Sequence, residues 1–320
     1  MSPYRDRSVL VTGGLGFVGS HVVEALLVEG ARVAVFDARI PGLGGTQARI
    51  PEALRDSLVE ADLRDTPTVA AALRGVEVVF HLAGATGHAR SMVAPVADLS
   101  LNVEATASLL SACVEHAPDA RVVFASTRQI YGRATGPLDE THPIVPVDVN
   151  GVGKRACEEL LRVYEGRGLR GVSLRLTNVY GPRMSLDPGR GHVLGAFLRR
   201  ALRAEVLDVF RPGTDRRSFL HAADAASAFL LAGVTDACLG RRLNVAGSAP
   251  RSIRELADIL ARLGGVDVRE VDFPDSLRTI DVGDHALDDG AFRALTGWRP
   301  AIELEAGLAT TLAAFRSEAP

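Results

Sequence analysis

The sequence predicts an α/β fold, a doubly wound parallel sheet with helices on both faces. Three observations lead there. Short β-branched apolar runs alternate with helical patterns through the first half, and the runs are apolar almost without interruption. A glycine-rich turn also joins the first run to the first helix. In chain order the strand candidates are Ser8–Val11, Arg32–Phe36, Val76–Phe80, Arg121–Ala125 and Val172–Leu176, with a short further run at Ser57–Val59. Between them Phe17–Glu29 sets Val22, Val23, Leu26 and Leu27 on one stripe, and Asp98–His116 reads as a second helix.

Beyond Asn178 the rhythm changes. A loop through Pro182 and Gly191 leads to an amphipathic helix at His192–Arg203. A helix at Ala222–Leu231 and a strand at Arg242–Val245 then return to the main sheet. Ser252–Leu263 is a helix opened by a capping box, Ser252 with Glu255. The expected division is residues 1–177 plus about 216–246 as the dinucleotide-binding domain, and 178–215 plus about 247–320 as a smaller α+β substrate-binding domain woven into it.

Composition narrows the function. The net charge of −3 is spread along the chain without a basic block, so neither nucleic acid nor an anionic membrane surface is expected as a partner. No apolar run approaches the roughly 18 residues needed to cross a bilayer, and a strand at Ser8 leaves no room for a signal peptide. The 3 cysteines, widely spaced in apolar surroundings, read as reduced core thiols of a cytoplasmic protein. No His, Cys or Asp spacing points to a metal. One bias is informative: of 36 basic residues every one is arginine except Lys154. Lysine is a compact charge whose pKa can be tuned, whereas arginine stays protonated, so Lys154 is a candidate for chemistry that arginine cannot perform.

The turn Thr12-Gly13-Gly14-Leu15-Gly16-Phe17-Val18-Gly19 lies between strand and helix, the context in which such a turn binds a dinucleotide. Gly13 permits the tight turn, Gly16 lets the backbone approach a pyrophosphate, and Gly19 lets helix and strand pack closely. Phe17 and Val18 open a helix whose free N–H groups face the phosphates. Asp37, ending the second strand, suits the ribose hydroxyls and repels a 2′-phosphate, which favours NAD, although Arg39 stands close by as a competing donor. Asp62 and Leu63 suit contacts to the adenine.

Further stretches share one resemblance. They are Asp62-Leu63-Arg64-Asp65, His81-Leu82-Ala83-Gly84, Asn102-Val103, Phe124-Ala125-Ser126-Thr127 with Ile130-Tyr131-Gly132, Arg175 through Pro182, Arg217-Ser218-Phe219 and Gly297-Trp298-Arg299-Pro300. With the glycine turn, they resemble the extended short-chain dehydrogenase/reductase family from about residue 8 to 312. Within it the chain is most similar to the UDP-galactose 4-epimerases and the nucleotide-sugar dehydratases. The resemblance implies a Rossmann domain, bound NAD with Leu82, Ala83 and Gly84 at the cofactor, and a nucleotide-diphosphate sugar as substrate. Thr86, Thr127, Asn178, Arg217 and Arg278 are the implied substrate contacts. The family's homodimer, through helices matching Asp98–His116 and Asn150–Gly166, is implied as well.

The resemblance also exposes a departure. The family reacts through a Ser/Thr, a Tyr and a Lys four residues after the Tyr. Thr127 matches the first and Lys154 the last, so Asn150 stands at the tyrosine position. With no second lysine in the chain, no shift of register restores a Tyr-x-x-x-Lys. An amide neither gains nor loses a proton near neutrality. Lys154, directly or through water held by Asn150, His88 in the loop after the Val76–Phe80 strand, and Tyr131 are the candidates to replace the base, with a packing role weighed against Tyr131. The expected function is an NAD-dependent nucleotide-sugar epimerase or dehydratase that moves hydride to tightly bound NAD and back. The alternatives are a catalytically impaired NAD- and nucleotide-sugar-binding regulator and an NAD-dependent sugar dehydrogenase.

Overall fold

The apolar runs form strands and the striped segments form helices. A computed structural model describes residues 2–43, 45–134, 136–187, 193–273 and 283–318. The first half runs β1 (Ser8–Thr12), α1 (Phe17–Val28), β2 (Arg32–Phe36), β3 (Leu58–Val59), α2 (Thr66–Ala72), β4 (Val78–His81), α3 (His88–Val93), α4 (Pro95–Leu99), α5 (Ala105–His116) and β5 (Arg121–Thr127). Then come β6 (Pro137–Leu138), α6 (Val149–Glu165), β7 (Arg170–Leu176), β8 (Asn178–Tyr180), α7 (Val193–Leu202), β9 (Leu207–Phe210), β10 (Arg216–Arg217), β11 (Phe219–His221) and α8 (Ala222–Val234). The chain ends with β12 (Arg242–Val245), β13 (Arg251–Ser252), α9 (Ile253–Gly264), β14 (Val268–Val271), β15 (Ala286–Leu287), α10 (Gly290–Thr296) and α11 (Leu304–Glu318).

Seven strands pair in parallel in the order β12-β7-β5-β4-β1-β2-β3. The order reverses between β1 and β4, so a crevice opens there at the carboxyl ends of the strands. One apolar cluster lies on the α1 and α8 side of the sheet, around Val22, Phe80 and Phe229; another lies on the α5 and α6 side, around Leu109, Phe124 and Leu161. A third, around Phe197, Leu207, Leu256 and Leu308, joins α7, β9, α9 and α11.

The helix expected at Asp98–His116 starts earlier and is not uniform. Pro95, which has no N–H to lose, sits at its first turn, and a π turn at Ser100–Glu104 joins α4 to α5. Within it Asn102 Nδ2 donates to the Asp98 carbonyl at 3.0 Å. The capping box forms as expected, with both the Ser252 and Glu255 side chains engaged.

One buried ion pair fastens α6 to the sheet. Glu158, 1% exposed, accepts from Arg175 Nε (3.0 Å) and Nη2 (2.8 Å), from Ser126 Oγ (2.6 Å) and from Ser173 Oγ (3.2 Å). Removing one partner of such a pair leaves an uncompensated buried charge. Glu158→Ala should therefore lower folding stability by about 3–5 kcal/mol in urea denaturation followed by circular dichroism.

Candidate active site

The glycine turn is shaped by what stands against it. Gly13 has φ +71°, and a Cβ there would lie 2.6 Å from the Ala83 nitrogen, so the backbone after β4 rests directly on the turn. A Cβ on Gly19 would run into the Gly13 carbonyl oxygen. Thr12 Oγ1 fixes this contact: it accepts from Ala83 N (3.3 Å) and pairs with His81 Nδ1 (2.8 Å), whose Nε2 meets Thr106 Oγ1 (3.0 Å). Burial first, then the Lys154 charge, pull His81 down to about 3, so it is a neutral strut joining β1, β4 and α5.

Next to this strut is an open cleft. Gly13, Gly16, Asp37, Asp62, Leu63, Leu82, Ala83 and Gly84 line it, which brings together most of the expected cofactor set. Phe17 and Val18 supply backbone at the start of α1, but their side chains turn away, Phe17 toward the α7 and α11 cluster and the edge of His21, Val18 toward the α8 side of the sheet. Asp37 accepts from Leu15 N (3.1 Å) and Arg39 N (2.9 Å); burial raises its carboxyl, and those two N–H groups oppose the shift. Arg39 pairs its guanidinium with Glu60 (2.7 Å). Asp62 is gripped by Arg64 through Nε (2.8 Å) and Nη2 (2.6 Å), which holds its carboxyl below the usual range. A glycine cradle that any Cβ would fill, with a carboxylate ending β2, fits NAD.

Lys154, Asn150 and Thr127 lie beyond the Gly84 end of the cleft lining. Lys154 Nζ donates to the Ala125 carbonyl (2.9 Å), sits 4.8 Å from the centroid of the Phe124 ring, and would be 3.6 Å from a Cβ placed on Gly84. Burial lowers its pKa, and the nearby Cys157, Asp98 and Glu158 oppose the shift. Asn150, 3% exposed, donates through Nδ2 to the Ala85 carbonyl (2.9 Å) and to Asp98 Oδ1 (3.5 Å); its Oδ1 takes no hydrogen bond from the described residues. Thr127 ends β5, with Oγ1 accepting from Gln129 N (3.2 Å). Sequence reasoning passed over Asp98 as the mere start of a helix. It is buried, bonded also to Asn102 Nδ2 (3.0 Å), its Oδ2 unpartnered, and its carboxyl raised by burial.

Tyr131 lies elsewhere. Its hydroxyl accepts from Arg175 Nη1 (2.9 Å) and donates to Asn244 Oδ1 (2.7 Å), and burial pushes the phenol up. That is the packing role, inside the Glu158 network. His221 caps α8 and Asp224 accepts from the backbone of Ala301 and Ile302, both structural, as their position in the sequence indicates.

Toward the substrate side, Asn178 opens β8. Its Nδ2 donates to the Ser218 carbonyl (3.0 Å), and its Oδ1 accepts from Arg128 Nη2 (3.0 Å). Arg217 is buried on β10 and donates to the carbonyls of Arg216 (3.1 Å) and Gly283. Thr86 is exposed in the loop after β4, and His88 opens α3 with its side chain outside the described set. Arg278 lies outside the described residues. No group of metal-ligating side chains occurs among the described residues, nor any helix long and apolar enough to cross a membrane.

A doubly wound sheet with a dinucleotide cleft at its switch point defines a nicotinamide-dependent enzyme. The profile of the NAD dependent epimerase/dehydratase family matches residues 9–246, and the chain belongs to that family. The UDP-glucose 4-epimerase of Mycolicibacterium smegmatis is 32% identical over 314 residues, 97% of this chain and 98% of that one. The dTDP-glucose 4,6-dehydratase of an Actinoplanes species is 29% identical over 322 residues, 97% of this chain and 98% of that one. Among solved structures, Thermus thermophilus UDP-glucose 4-epimerase in complex with NAD superposes with a TM-score of 0.85 at 32% identity, over 97% of this chain and 99% of that chain. The protein is thus an NAD-dependent enzyme of the epimerase/dehydratase family with a Rossmann-like sheet.

Two outcomes follow. Gly19→Ala, forced against the Gly13 carbonyl, should weaken NAD binding by about tenfold or more, an effect of at least 1.4 kcal/mol by calorimetric titration. For His81, the unfolded chain binds a proton near 6.5 and the folded chain only near 3. Stability is therefore retained above that window and falls as pH drops through it, by at most about 1.4 kcal/mol per pH unit. Denaturation between pH 3 and 7 should show this slope, and His81→Gln should flatten it.

Proposed function

We propose that the enzyme epimerises a nucleotide-diphosphate sugar, with Lys154 in place of the family's tyrosine as the proton-transfer group. NAD supplies a hydride acceptor that returns what it takes, so the reaction carries no net redox change. Thr127 positions the sugar hydroxyl. The unprotonated Lys154 amine takes its proton, and the same ammonium later gives one back. Asn178 and Arg217 hold the diphosphate, with Arg278 as a second cation, and Thr86 lies at the sugar. Residues 178–215 and about 247–320 form the substrate-binding part. The observation that carries this reading is the arrangement at Asn150: an amide locked by Ala85 and Asp98, its Oδ1 free to accept from a substrate hydroxyl, on the turn before a buried lysine of lowered pKa. His88 stands in reserve as the alternative base.

The test is direct. Mixing holoenzyme with candidate nucleotide sugars should produce transient absorbance in the reduced-nicotinamide band. As the base must be unprotonated, kcat should rise with pH toward a Lys154 value that burial holds below 10.5. Asn150→Tyr should raise kcat by a factor of about 10²–10⁴ if the lesion lies only in proton transfer. The same absence of the tyrosine favours a second reading, a binding protein with impaired catalysis. Tight binding with no reduction and no product across the panel would establish it and sink the first.

Val152 and Val163, 48% and 53% exposed, stand three turns apart on one face of α6, and Val96 on α4 is 80% exposed. This supports the homodimer the family resemblance implies, and light scattering should return twice the chain mass, reduced to one by Val163→Asp.

A further inference from the structure

Arg128 is a buried cation with no counter-ion among the described residues. It is 9% exposed, and its Nη2 donates to the Asn178 amide oxygen. Among the described residues Nη1 has no partner, and no carboxylate forms an ion pair with the guanidinium. The contrast with Arg175 is instructive, since that guanidinium is equally buried and fully paired with Glu158. The surroundings of Arg128 add repulsion: burial first and then the Arg217 charge pull it down to about 9, with Asp148 as the opposing attraction. It remains protonated at neutral pH. An unpaired buried charge costs several kcal/mol, and a ligand anion would offset that cost.

Position says which anion. Arg128 directly follows Thr127 at the carboxyl end of β5, and Thr127 is the residue that the proposed function places at the reacting sugar hydroxyl. The Asn178 amide stands between two regions. Its oxygen faces Arg128, and its nitrogen faces the Ser218 carbonyl, next in sequence to Arg217. If Arg217 holds the diphosphate, Arg128 is left on the sugar side. A guanidinium presents a planar fork that matches a carboxylate with two parallel hydrogen bonds.

We propose that Arg128 is a specificity-determining residue that binds a carboxylate on the sugar, so that the preferred substrate is a nucleotide-linked sugar acid rather than a neutral hexose. This rests on the nucleotide-sugar reading of the site and goes beyond it in naming the substrate class. A pocket built around a buried polar group rejects the analogue that leaves the group unpaired, so the preference should be large.

The experiment uses the NAD-loaded enzyme with UDP-glucuronate, UDP-glucose and UDP as probes, and the thymidine counterparts in parallel. Calorimetric titration of the wild type should find the glucuronate tighter than the glucose compound by at least about tenfold. Arg128→Met, close in volume and uncharged, should abolish that preference while leaving UDP affinity within about twofold. Arg128→Lys, which keeps the charge but not the fork, should fall between, and serves if the methionine variant does not fold. Equal affinity for the two sugars, with the glucose compound turned over, overturns the inference and leaves the proposed function standing. Loss of UDP affinity in step with the sugar acid in Arg128→Met also overturns it, because Arg128 would then belong to the diphosphate. A wild type that binds no nucleotide overturns both.

Discussion

The position of α6 depends on Glu158. That helix carries Asn150 and Lys154, and Glu158 comes one turn after Lys154, below the surface of the sheet. Four donors converge on its carboxylate from β5 and β7. Arg175 passes the connection to Tyr131, Tyr131 to Asn244 on β12, and Asn244 Nδ2 to the carbonyls of Leu138 and Asp288. A buried carboxylate paired in this way fixes one depth and one rotation of the helix, because any displacement would strip hydrogen bonds from charges that water cannot reach. Lys154 can then meet the Ala125 carbonyl and the Phe124 face at the end of β5, one position short of Ser126, which Glu158 itself holds.

How much of this was legible follows from the range of the interactions. The sequence marked six strands of the sheet and the short β3, because parallel strands buried on both faces admit little but apolar runs. Their ends were less visible: β5 extends through Thr127 since its last residues are paired with β7, a partner far along the chain. The capping box was readable because both of its groups lie within one turn. The π turn was not, and the buried Asn102 in it bonds to Asp98 one turn earlier in a way that no periodicity marks. The Glu158 network left no trace at all. A glutamate on a helix and an arginine in a strand look like solvated residues until the sheet order brings them together.

The site shows the same division, sharpened by composition. An almost lysine-free chain makes Lys154 conspicuous, and the structure does place it buried, beside Gly84 of the cleft lining. The same arginine bias conceals Arg128, one guanidinium among many, though it is buried beside Thr127 without a carboxylate partner among the described residues. The glycine turn and Asp37 were recognisable because close backbone approach admits few residue types. Side-chain direction was not: Phe17 lies within the motif yet packs against the α7 and α11 cluster. Asp98 offered no signal, since its importance lies in facing Asn150 across a loop 52 positions away in sequence.

Asn150 and the state of Lys154 are linked electrostatically. A tyrosinate at position 150 would place a negative charge one turn from the ammonium and stabilise its protonated form. An amide supplies no charge, so burial governs, and Lys154 is held toward the neutral amine with only Asp98, Cys157 and Glu158 opposing. In the proposed mechanism, the substitution that removes the usual base thus leaves a lysine of lowered pKa to take its place. The buried amide itself is accommodated because Ala85 and Asp98 accept from its Nδ2. A phenylalanine there would relax Lys154 in the same way but would offer a substrate hydroxyl nothing to bind. On the proposed mechanism, a neutral acceptor beside a lysine of lowered pKa is what would distinguish an altered proton path from a lost one.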